Sequence, residues 1–140
     1  MTAQQALREA NKYDLTIIDG PARTSHATLE IAQKADLVIQ PTGASRDDLI
    51  PAVKEFNALV KAGVNKKKLL FVLNHIGSQA EAEIAQEYLK DTGYFYLPIA
   101  LSEKVSFRLV QNEGKAITEI PYKTLRKHAK GLIESILDYV

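Results

Sequence analysis

Asp19 follows the apolar and β-branched run Leu15-Thr16-Ile17-Ile18 and precedes Gly20-Pro21. Such a run predicts a fully buried strand that delivers one carboxylate to its C-terminal edge. Hard divalent cations take oxygen ligands held on rigid backbone, so an acid in that place suits Mg²⁺ on a nucleotide phosphate, usually through a coordinated water. The same residues also make an ordinary turn, because Asp, Gly and Pro are common turn formers. Other chemistries lack their residues. The chain has no cysteine, which excludes disulfides, thiolate metal sites and cysteine nucleophiles. His26, His75 and His128 have no ligand-like spacing, and there is no G-x-S-x-G elbow. A phosphoacceptor receiver would need an acidic pair after the first strand and an aspartate after the third. Here Asp19 stands alone and the third strand ends at Asn74.

A second candidate is electrostatic. Lys123, Arg126, Lys127 and Lys130 share one face of a helix, opposite its apolar side. A stripe of this kind neutralises DNA phosphates without reading sequence, and it is equally the solvated face of a surface helix. Lys66-Lys67-Lys68 precedes a buried strand and is expected to be a solubilising turn. Global charge adds nothing: 18 basic against 17 acidic residues leave a net charge of +1.

The elements that must position these residues alternate along the chain. Its 140 residues, 46% hydrophobic and 25% charged, suit one α/β domain over 1–140, with no linker or repeat. Short apolar runs at 15–18, 36–40, 69–73 and 94–99 predict strands. Amphipathic stretches predict helices over 28–34, from Ser45 to Gly63, from Ser78 to Gly93, from Ser102 to Gln111, and from Pro121 onward. Ser78 with Glu81 is a capping-box pair. Strands apolar on both faces, alternating with helices, imply a parallel sheet. With right-handed crossovers, three connecting helices fall on one face, leaving the C-terminal helices to cover the other. Ligands then gather at the carboxyl ends of the strands, here Asp19-Gly20-Pro21, Pro41-Thr42-Gly43, Asn74-His75 and Pro98 onward. No apolar run approaches the ~20 residues of a membrane span, and Met1 to Ala10 lacks the apolar core of a signal peptide. A cytoplasmic protein without a membrane partner is expected.

Taken in order, these pieces resemble a family. Tyr13-Asp14 through Asp19-Gly20-Pro21-Ala22, Ala35-Asp36-Leu37-Val38-Ile39-Gln40-Pro41 and Asp48-Leu49 are similar to the ParA/MinD deviant-Walker ATPases, with Asp19 as the Walker B acid. Val72-Leu73-Asn74, Pro98-Ile99 with Ser102 to Phe107, and Asn112 to Ile117 continue the match, from about Tyr13 to the C-terminus. The resemblance implies a P-loop NTPase fold, ATP and Mg²⁺ as cofactors, and ATP-dependent homodimerisation. It also implies non-specific DNA binding during plasmid or chromosome partitioning, and a ParB-like partner that stimulates hydrolysis. Residue by residue it implies Asp19 near Mg²⁺, Asn74 at adenine, and Pro98 and Ile99 lining the base pocket. Gly20, Pro21 and Arg23 become the γ-phosphate switch, with His26 at its end, and Lys123, Arg126, Lys127 and Lys130 the DNA contacts.

The departure is large. Nothing fits G-x-x-x-x-G-K-[ST], so the N-terminal strand, the P-loop with its lysines and the catalytic-water aspartate of such ATPases are missing. Positioning and electrostatics are nearly all of phosphoryl-transfer catalysis. This chain alone is therefore expected neither to hydrolyse ATP nor to hold a cofactor: an incomplete ATPase domain. A non-catalytic DNA- or protein-binding module derived from one is the alternative.

Overall fold

The computed structural model describes residues 1–20 and 25–140. Helices α1 (Ala3–Ala10) and α2 (His26–Lys34) precede strand β1 (Val38–Thr42) and helix α3 (Arg46–Lys61). Strand β2 (Leu69–Leu73), helix α4 (Gln79–Thr92), strand β3 (Phe95–Tyr96), α5 (Val105–Asn112) and α6 (Lys123–Leu137) follow. Short 3₁₀ turns occupy Lys66–Lys68 and Ile117–Glu119. The sheet has the order β1-β2-β3 and both pairings are parallel, with Val38 opposite Leu69 and Leu70 opposite Phe95.

β2 is buried at all five positions because both its faces are covered. Leu69, Phe71 and Leu73 face Ala32 of α2, Leu49, Phe56 and Leu59 of α3, and Ala82, Ala85 and Leu89 of α4. Leu70 and Val72 face the other way, against Leu132 of α6 and Leu97. The expected division of helices is thus observed, three on one face and α6 on the other. α5 extends that second layer by packing Phe107 and Val110 against Ile120 and Ala129. α6 stops short of β1: Ile39, which lies beside Leu70 in the register, remains 39% exposed.

The run Leu15 to Ile18 is not the buried strand that its composition predicts. It has no regular secondary structure, and Leu15 and Ile17 are 57% and 87% exposed. A strand exists only when neighbours take up its N–H and C=O groups. Among the described residues nothing pairs with this run, so β-branched composition alone does not make it a strand. The first strand of the sheet is Val38–Thr42 instead. Residues Thr2 to Ala10, polar in sequence, form a helix closed by a reciprocal cap, Thr2 N donating to Gln5 Oε1 and Gln5 N to Thr2 Oγ1. α1 lies against α2.

The stop and start signals are otherwise close to expectation. Ser45 and Ser78 accept from the amides of Asp48 and Glu81. Glu81 departs from the capping box in one respect, since its carboxylate accepts from Gly77 N and not from Ser78 N. Gly63 and Gly93 end their helices at positive φ, 98° and 73°, where a side chain would be strained. α5 begins later than expected. Ser102 is drawn into a bridge with Ile76, and Lys104 precedes the helix without a side-chain cap.

The three lysines before β2 are more than a solubilising turn. Lys68 Nζ donates to the carbonyls of Gln33 and Ala35, each at 2.9 Å, at the C-terminal end of α2. Lys66 Nζ reaches Thr92 O at the end of α4 and lies 4.4 Å from the Tyr94 ring centre. Each cation meets orphan carbonyls at the negative end of a helix dipole. Replacing Lys68 by Met removes both hydrogen bonds while keeping the stem, and should cost about 1 kcal/mol in urea unfolding.

Tyr94 completes the larger core, with ring centres 5.3 Å from Phe56 and 5.8 Å from Phe71. Its hydroxyl donates to Asn57 Oδ1 at 2.6 Å. Burial raises this phenol above its ordinary value of 10.0. The unfolded chain therefore loses the proton first, and the stability that Tyr94 contributes is complete below that ordinary value and falls as pH rises through the folded one. Melting temperature measured against pH should show an alkaline decline that Tyr94→Phe flattens.

Candidate functional site

The carboxyl ends of the three strands are joined by backbone hydrogen bonds into one edge. Asn74 N donates to Thr42 O at 2.9 Å, and Leu101 N to Leu73 O at 2.9 Å. Ile76 N then donates to Leu101 O, and Glu103 N to Ile76 O. Asn74 is half-buried, and its Oδ1 accepts from His75 N at 3.0 Å. This holds the side chain against its own backbone while His75 takes positive φ, 56°, the one non-glycine residue to do so among those described. The Asn74 Nδ2 donors have no partner among the described residues.

Beside Asn74 the third strand is interrupted. Its expected length, Tyr94 to Ile99, reduces to two residues; with Leu97 N turned toward β2, the Pro98 nitrogen falls on the outer edge, where a strand tolerates proline. Leu97 N donates to Phe71 O and Leu101 N to Leu73 O, so residues 98–100 bow outward as an arch before pairing resumes. Two helices on opposite faces of the sheet hold the arch. Gln86 Nε2 of α4 donates to Pro98 O at 3.0 Å. His128 Nε2 of α6 lies 2.9 Å from Ala100 O. These bonds occupy carbonyls on the outer edge of β3 that would otherwise be open. Pro98 is exposed and Ile99 packs partly against the smaller core.

Of the residues selected from sequence, Asn74 follows β2 and Pro98 and Ile99 follow β3, at neighbouring strand ends. Asp19 and Gly20 sit on exposed irregular backbone, and Pro21 and Arg23 lie outside the described residues. His26 opens α2 and is exposed. Among the described residues no three His, Asp or Glu side chains gather as a metal site. In the basic stripe, Lys123, Lys127 and Lys130 are exposed and unpaired among the described residues. Arg126 differs: it is half-buried, its Nε donating to Ile120 O at 2.9 Å and its Nη2 to Pro121 O at 3.0 Å. It fastens the turn before α6 to the helix. Further along, Lys115 pairs with Glu113 at 2.9 Å, and that hydrogen bond raises the ammonium above its ordinary value.

Behind the arch, α4 and α6 enclose an open cleft of about 490 Å³, floored by Ile76 and Ala82 and rimmed by Ser102, Thr124 and Lys127. Asn74 does not line it. Gln86 and His128 were not selected from sequence and carry no local signal, since each acts on a carbonyl remote in the chain. No known protein family matches the chain, and no curated protein matches it either.

The two bonds to the arch are separately testable. Gln86→Ala and His128→Ala should each cost about 1 kcal/mol. Both should speed hydrogen exchange at the Leu101 amide more than at Leu70, which reports the sheet centre.

Proposed function

We propose that the chain is the base-side half of a ParA/MinD-like nucleotide-binding domain, whose basic C-terminal helix binds DNA without sequence preference. The observation that carries this reading is the joined edge at which Asn74, with free amide donors, stands beside the arch of Pro98 and Ile99. A flat base fits between an apolar wall and a fixed amide, and an all-parallel sheet is the scaffold that collects such groups at its carboxyl edge. Asp19 would hold Mg²⁺ on the phosphates, and Gly20, Pro21 and Arg23 would sense the γ-phosphate. In the complete assembly, ATP and Mg²⁺ would drive homodimerisation, and slow hydrolysis, stimulated by a ParB-like partner, would release DNA. With no P-loop among its residues, this chain is assigned no hydrolysis of its own.

A second reading is a non-catalytic binding module that keeps the DNA surface without the nucleotide cycle. The run from Leu15 to Asp19 favours it: among the described residues it has no strand partner, Leu15, Ile17 and Asp19 are exposed, and a carboxylate on irregular backbone is not held for a metal.

Adenosine titrated to millimolar concentration into ¹⁵N-labelled chain separates the two. On the first reading it moves the Asn74 side-chain amide and the Ile99 and Leu101 amides, and Asn74→Ala abolishes the response. An unmoved Asn74 overturns the base site and leaves the module. For DNA, Arg126 is occupied, so Lys123, Lys127 and Lys130 form the surface. Lys127→Glu with Lys130→Glu should weaken retention of a non-specific duplex at least tenfold at low salt. It should also reduce the slope of log affinity against log salt by about 2. Unchanged retention removes the stripe.

A further inference from the structure

Gly131 stands in the middle of α6, with helical backbone and open space where a Cβ would be. Glycine is among the poorest residues for a helix interior, so it usually answers a packing or backbone need. Neither is seen here: its φ is not positive, and among the described residues nothing beyond its chain neighbours and its own helix backbone lies within 4 Å of the missing Cβ. Gly131 also lines the cleft between α4 and α6. The glycine keeps one wall of that cleft clear.

We propose that this cleft between α4 and α6 binds a compact organic anion, an apolar body bearing a single carboxylate or phosphate. The cleft's volume, about 490 Å³, lies within the ~300–1,000 Å³ of small-molecule sites. Its floor is apolar, with Ile76 and Ala82 nearly fully buried and Ile99 and Ala100 beside them. Its polar groups converge at the rim. Ser102 Oγ, Thr124 Oγ1 and Lys127 Nζ make no hydrogen bond or ion pair among the described residues. Among the described residues, Lys127 is the single charged side chain of the lining, and no carboxylate lines it there. The nearby Glu81 carboxylate is held by Gly77 N. Gln86 and His128 each bond an arch carbonyl through Nε2, which fixes these two side chains as walls. An apolar body over Ala82 and Gly131, with its anionic head at Lys127 and the two hydroxyls, gives each of those three groups a partner. The cleft shares Pro98 and Ile99 with the proposed base site and Lys127 with the proposed DNA surface, but Asn74 does not line it, so a response at Asn74 and a response at Thr124 and Gly131 are read separately.

Amide titrations of the full chain with phenyl phosphate and with benzoate test it, and the stronger of the two identifies the head group. Saturable shifts at Thr124, Lys127 and Gly131 are expected, at least fivefold stronger than with inorganic phosphate, which lacks the body. Adenosine, which lacks the charge, should leave these three amides unmoved whatever it does at Asn74. Lys127→Gln should weaken binding at least fivefold. Gly131→Met fills the cleft and should abolish it, with no loss of melting temperature and no change in DNA retention. Gly131→Ala, adding one methyl, should show a smaller loss and serves if the larger substitution fails to fold. No response, shifts that follow every exposed lysine such as Lys54 and Lys90, or binding that survives Gly131→Met would overturn the site.

Discussion

Burial of β2 on both faces is the constraint on which the remainder depends. Five consecutive side chains leave water, and each large one is worth about 2 kcal/mol, so the strand cannot be displaced without losing both cores. Because Leu69, Phe71 and Leu73 demand cover on one side and Leu70 and Val72 on the other, helices must flank both faces. The helical crossovers that supply this cover join parallel strands, and parallel strands bring their carboxyl ends to one edge. Asn74 and the arch meet there for that reason, although 24 positions separate Asn74 from Pro98.

The arch shows how a local defect becomes a site. Leu97 N and Leu101 N bond Phe71 O and Leu73 O, so the third strand uses extra residues between those two bonds and bows out where the second runs straight. An unpaired backbone of this kind is costly unless its carbonyls find donors. Gln86 and His128 supply them from opposite faces, and in doing so couple α4 and α6 to the same three residues. The helix that presents Lys127 and Lys130 is thus also the helix that shapes the strand end. The cleft behind the arch is lined by residues of the same two helices and by the arch itself.

Much of this order was legible in the chain. The apolar runs at 36–40 and 69–73, the serine caps and the glycine stops are local signals, and each needs only neighbouring residues to act. Arg126, Lys66 and Lys68 were misread as surface charge because their partners are carbonyls brought near by folding. Leu15 to Ile18 failed in the opposite direction. Its composition is that of a strand, yet pairing is a property of two segments, and the second is absent among the described residues. The stripe on α6 was visible in its spacing, but three of its four members remain free once Arg126 is committed.

The sequence alone therefore determined the alternation of elements, the apolar face of every long helix and the absence of a phosphate-binding loop, because these follow from periodicity and residue type. Only the tertiary structure decided which strands pair, which lysines serve helix ends, and that Gly131 borders open space. Those depend on contacts between residues far apart in the chain, where pairing geometry and burial, and not local preference, select the outcome.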